Sequence, residues 1–208
     1  MISSEQALTR LREGNDRFVR HAAVVLDEIH YTSLADIERG QEPFAVILGC
    51  SDSRVPAEVV FDAGLGELFV VRVAGNIAAE SQIGSIEYAT AHLGTPLVVV
   101  LGHSHCGAIT ATLDAIQGAS DGNSENIANI VEHIRPSVEA FVFDGGSGAR
   151  DEDRASLIAK GVRENVRRTV SELTQMSEII DRQVRSGSVR IVGAQYWLET
   201  GEVEFFNG

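Results

Sequence analysis

The apolar positions of this chain keep two rhythms. Short unbroken runs, "FAVILG" (44 to 49), "ELFVVR" (67 to 72) and "LVVVLG" (97 to 102), are rich in β-branched residues. An apolar run of that length without polar alternation fits a strand covered on both faces, as strands of parallel sheets are. Between these runs the period lengthens. "PAEVVFDAG" opens with proline, which suits a first helical turn, and "SQIGSIEYATAHLG" carries apolar residues at 83, 86, 89 and 93 before its closing glycine. Strand, helix, strand, helix in this order predicts a parallel sheet. Further on, "AITATLDAIQG", residues 125 to 142 and residues 152 to 184 follow helical patterns, and "SVRIVGAQYWLETGEVEFF" reads as a strand, a turn at "ETG" and a second strand.

At the start of the chain, Ser3 with Gln6 has capping-box spacing, and Leu8, Leu11 and Phe18 recur at near-helical intervals, predicting a helix over about 3 to 20. Its apolar residues exceed what one side of a short helix requires, which suggests packing on a second copy. Residues 21 to 43 are mixed, and the glycine-rich 144 to 152 is the expected flexible spot. The predicted fold is α/β: a central, mainly parallel β-sheet flanked by helices, with an N-terminal helical arm and C-terminal edge strands. One domain over 1–208 is expected, divided into an arm (1–40), a site-bearing core (41–110), a helical segment (111–185) and closing strands (186–208).

Composition narrows the function. A chain of 208 residues that is 44% hydrophobic can bury a full core. Its formal charge of -13 disfavours nucleic acid and anionic membrane surfaces as partners, since both select a basic face. No apolar run approaches the roughly 20 residues of a membrane span, and the charged N-terminus lacks a secretory signal's apolar stretch, so a cytoplasmic protein is expected. Only Cys50 and Cys106 could form thiolates or a disulfide.

Chemistry gathers where two predicted strands end. "CSDSR" leaves the first strand and "HSHCG" the third; ligands of parallel α/β sheets sit at such carboxyl ends. If those strands are neighbours, Cys50, His103 and Cys106 converge as two sulfurs and one imidazole, a set that suits zinc with one position open to water. The two cysteines could equally be buried apolar residues or a disulfide, and Asp52 with Arg54 a plain ion pair. His105 reads as a solvent-facing or loop-capping residue, and His21, His30 and His133 as structural or surface residues.

These segments also carry a resemblance. "GCSDSRVPAE", "LFVVRVAGN", "SIEYA", "VVLGHSHCGA", "LREGNDRF" and "VGAQYWLETGEVEFF" together are similar to the β-class carbonic anhydrases, over most of the chain. The resemblance implies one Zn2+ per chain held by Cys50, His103 and Cys106, and reversible hydration of carbon dioxide to bicarbonate and a proton. Zinc-bound hydroxide would be the nucleophile, oriented by the catalytic pair Asp52 and Arg54. Gln41, Phe69, Ala74 and Gly107 would contact substrate, His92 would carry protons, and the assembly would be a homodimer or homotetramer. Two departures matter. Members regulated by a bicarbonate site away from the zinc carry tryptophan where this chain has Ile47, so no such site and an open metal position are expected; and "VRVAGN" replaces "VRNVAN" in the pocket wall. Polar residues 118 to 126 match no catalytic element. Turnover of carbonyl sulfide or carbon disulfide, or a zinc protein without turnover, are the competing readings.

Overall fold

The computed structural model describes residues 2–21, 40–119, 124–142 and 151–206. His30, residues 120 to 123 of the polar segment and 144 to 150 of the glycine-rich loop lie outside them, as does the side chain of His21.

Four strands run parallel and a fifth closes one edge: β1 (Ala45–Gly49), β2 (Leu68–Arg72), β3 (Leu97–His103), β4 (Arg190–Tyr196) and β5 (Val203–Phe206), in the order β2-β1-β3-β4-β5. Every residue of β1 and β3 is buried, which is why both runs lack polar alternation. The condition set on the two motifs is met. β1 pairs directly with β3, Gly49 opposite Leu101, so the chain leaves both strands at adjacent points.

Side-chain alternation sorts the core into two layers. Ala45, Ile47, Val99 and Leu101 pack on helix α1 (Ser4–His21) and the four-residue helix α2 (Ala57–Val60). Val46, Leu48, Val98 and Val100 point the other way, onto α3 (Glu80–His92), α6 (Asp151–Met176) and α7 (Glu178–Ser186). A third cluster lies beyond the strand ends, where α4 (Gly107–Ile116), α5 (Glu125–Val142) and α6 enclose Cys50 and Cys106.

Two details go beyond the sequence pattern. The pattern over 152 to 184 is two helices, because Ser177 leaves the helical conformation and its hydroxyl accepts the Ile180 N–H at 3.1 Å, capping α7. The N-terminal helix packs along its own chain: Ala7, Leu8 and Leu11 are buried against Phe44, Phe61 and Leu97. Asn15 fixes it there. Its Nδ2 donates to the carbonyls of Val60 (3.0 Å) and Gly201 (2.9 Å), and its Oδ1 accepts from the Val203 N–H (2.8 Å). Gly14 beside it is obligatory, since a Cβ there would stand 1.9 Å from the Phe61 carbonyl oxygen.

Candidate active site

Cys50 is the first residue after β1, His103 the last of β3, and Cys106 the residue that opens α4. Three helix-building and strand-ending signals therefore aim at one point. The two sulfurs and an imidazole nitrogen lie within 4.8 Å of one another, all buried, with the thiols unbridged. His103 Nδ1 sits 2.8 Å from the Ser104 carbonyl oxygen, which can only accept, so Nδ1 carries the hydrogen and Nε2 presents a lone pair. That Nε2 is fully buried and has no hydrogen-bond partner. A buried acceptor left unpaired costs free energy, and a cation between it and the sulfurs would relieve that cost.

The thiols are electronically unequal. Cys106 shares its proton with the Cys50 sulfur, which lowers Cys50 well below an ordinary thiol even though burial opposes this. The same shared bond, with burial, raises Cys106. Cys50 also accepts the Gly75 N–H at 3.4 Å.

Asp52 faces the cluster, its Oδ2 lying 3.8 Å from His103 Nε2. Both its oxygens are held by Arg54: Nε to Oδ1 at 2.9 Å and Nη2 to Oδ2 at 2.7 Å, with the Arg54 backbone N–H adding a third bond at 3.0 Å. This two-pronged bond holds the Asp52 carboxyl far below the usual carboxylate range. Arg54 also reaches the His105 carbonyl at 3.4 Å, joining the loops that leave β1 and β3. His105 is exposed, at φ 54°, and its Nε2 meets Glu199 Oε1 at 2.5 Å.

Other expected residues divide. Ala74 lies in the short turn Ala74–Asn76 beside Cys50, and Gly107 is the exposed first residue of α4. Gln41 instead precedes β1, at its amino end, a strand's length or about 16 Å from the cluster at its carboxyl end. Phe69 lies within β2, opposite Val46, and stacks on Tyr88. His92 ends α3 before β3 begins and contacts Tyr88, with centroids 5.2 Å apart. Neither Gln41 nor His92 reaches the cluster within one chain. His133 bonds the Asn129 carbonyl in its own helix.

Sequence reading missed three supports. Arg72 donates to the carbonyls of Cys50 (3.1 Å) and Asp52 (2.6 Å), clamping the loop; a charge ending the apolar run "ELFVVR" was the available signal. Ser104 and Glu199 bond each other at 2.9 Å across 95 residues, and Ser104 Oγ accepts the Leu198 N–H, so the closing hairpin braces the His103 loop. No local signal marks that pair.

Fold and cluster together define an α/β protein with a candidate metal centre at the carboxyl ends of parallel strands. The family model described as carbonic anhydrase matches residues 45–203, and the chain belongs to that family, in its β class. Carbonic anhydrase 2 of Mycobacterium tuberculosis is 42% identical over 197 residues, which cover 92% of this chain and 87% of the relative. Among solved structures, the β-carbonic anhydrase CcaA superposes with a TM-score of 0.69 at 28% identity, over 98% of this chain and 86% of that one. One of two tetrameric β-carbonic anhydrases from Sordaria macrospora gives a TM-score of 0.71 over 98% of both chains; its 21% identity speaks for the fold alone. This chain is therefore an enzyme, a carbonic anhydrase, whose substrate is a small molecule. Among the described residues no helix is long and apolar enough to cross a membrane.

Proposed function

We propose that the chain interconverts carbon dioxide and bicarbonate with one zinc ion held by Cys50, His103 and Cys106. The observation that carries this reading is the unpartnered His103 Nε2 facing two buried thiols, beside a carboxylate that Arg54 keeps charged. Two thiolates and an imidazole favour zinc over calcium or magnesium. An ion bound there supplies a water acidified from ~15.7 toward ~7, and so a nucleophile at neutral pH.

The chain's own groups do the rest. Ionised Asp52 only accepts hydrogen bonds, so it would accept one from the attacking oxygen and thereby orient that oxygen's lone pair toward carbon. Arg54 fixes that orientation, because both carboxylate oxygens are engaged in one plane. The same engagement would hold Asp52 as a hydrogen-bond acceptor beside a bound ion instead of as one of its ligands. Ala74 contributes apolar wall, and the Gly107 N–H, one of the first, unpaired amides of α4, would be available as a donor to a substrate oxygen.

Gln41, Phe69 and His92 serve as substrate contacts and proton carrier only if a second copy brings them to the pocket, since their own chain holds Gln41 and His92 at the opposite end of the strands. The working unit in this reading is accordingly a homodimer or a homotetramer. Zinc content and carbon dioxide hydration, measured on one preparation, test the reading. One zinc per chain, with activity lost on chelation and restored by zinc, is expected; full zinc occupancy without hydration would refute it.

A further inference from the structure

The Cys50 sulfur receives its backbone hydrogen bond from a glycine in an unusual conformation. Gly75 has φ 74°, and a Cβ on it would stand 2.5 Å from Ile134 Cδ1 and 3.1 Å from the Ala108 Cβ, so the turn is both left-handed and tightly enclosed. Such a turn needs something to hold it. The Gly75 carbonyl accepts from Asn165 Nδ2 at 2.8 Å, and Asn165 Oδ1 in turn accepts the Ser137 hydroxyl at 3.4 Å. Both side chains are buried, Asn165 at 2% exposure and Ser137 at 5%. A polar chain thus runs from α5 through α6 to the turn and ends on a thiol: Ser137, Asn165, Gly75, Cys50.

Asn165 sits between Val162 and Val166, which pack into the apolar core. A carboxamide buried on such a face is costly unless its bonds are used. We infer that Asn165 is a positioning residue of the metal centre: by holding the Gly75 carbonyl it fixes the turn that presents the Gly75 N–H to Cys50. An N–H bonded to a ligating sulfur draws electron density from it, so the sulfur donates less to the ion and the ion stays more acidic. The inference rests on Cys50 being a ligand, as proposed above.

Cobalt-substituted holoenzyme tests it, because the thiolate-to-cobalt charge-transfer band reports sulfur donation directly. Asn165→Leu, close in size and unable to bond, is expected to shift that band to longer wavelength, to lower kcat with KM unchanged, and to cut resistance to a chelator about tenfold. Ser137→Ala, which frees the carboxamide while leaving it in place, should shift the band the same way by less. Should Asn165→Leu fail to fold, the Ser137→Ala band decides alone. Wild-type spectra in the folded variants would overturn the inference and leave the zinc reading standing; absence of a thiolate band from the unmodified protein would instead overturn thiolate ligation, and this inference with it.

Discussion

Asp52 commits both oxygens to one guanidinium, and in the proposed reaction that commitment would separate metal binding from turnover. Cys50→Ser removes a ligand and is expected to lose zinc and activity together, whereas Asp52→Asn keeps the three ligand atoms and should retain zinc while losing at least about 100-fold in kcat, the scale of one preorganised group. Metal analysis beside stopped-flow rates distinguishes them; an Asp52→Asn enzyme with unimpaired kcat would remove the role given to this carboxylate. The pKa direction adds a pH signature. Folded Asp52 titrates below its ordinary value of ~3.9, so its pairing adds stability above that pH and loses it as pH falls further. Asp52→Asn should therefore be less stable than the parent at about pH 7, with the gap closing toward about pH 2. A gap of constant size in urea melts at both pH values would contradict this. Asp52 also stays charged throughout the working range, so activity changes above about pH 5 belong to other groups. If both cysteines ligate as thiolates, as proposed, they would cancel the ion's charge, and hydration is expected to keep rising above about pH 7; a flat stopped-flow profile from about pH 6 to about pH 9 would count against it.

Among the elements, α1 is held by a single polar side chain more than its length suggests. Asn15 satisfies Val60, Gly201 and Val203 at once. Asn15→Ala leaves all three backbone groups without that partner and is expected to cost about 2–4 kcal/mol in urea unfolding, against about 1 kcal/mol for loss of the α7 cap in Ser177→Ala. Equal costs would mean that Asn15 is solvated when freed. β1 and β3 were legible in the sequence because burial on both faces leaves them almost free of polar residues, and the cluster was legible because "CSDSR" and "HSHCG" each follow such a run. Their adjacency was not, since strand order depends on pairing that no local pattern encodes. Ser177 hid inside a helical period because a cap changes the path of the chain without changing the spacing of apolar residues. Arg72, Asn165 and Glu199 escaped for a related reason: each acts on a backbone group or side chain tens of residues distant.

At the scale of the whole molecule, the substrate-contact role proposed for Gln41 would make catalysis a property of the assembly. Its own strand separates it from its own cluster, so a Gln41→Ala chain and a Cys50→Ser chain carry complementary defects. Co-assembled, they are expected to recover activity beyond either parent, as one mixed site regains both groups; no recovery, with mixed assemblies confirmed by mass, would place Gln41 outside the reaction.

The bond from Asn15 to Gly201 has a bearing on how the chain is made. The helix is translated well before two of the groups it grips, Gly201 and Val203, which follow Asn15 by 186 and 188 residues. Its resting place is incomplete until the closing hairpin has been made, so full docking of the helix reports that this hairpin has arrived, and a product terminated before Gly201 would leave the buried Asn15 carboxamide without two of its three partners.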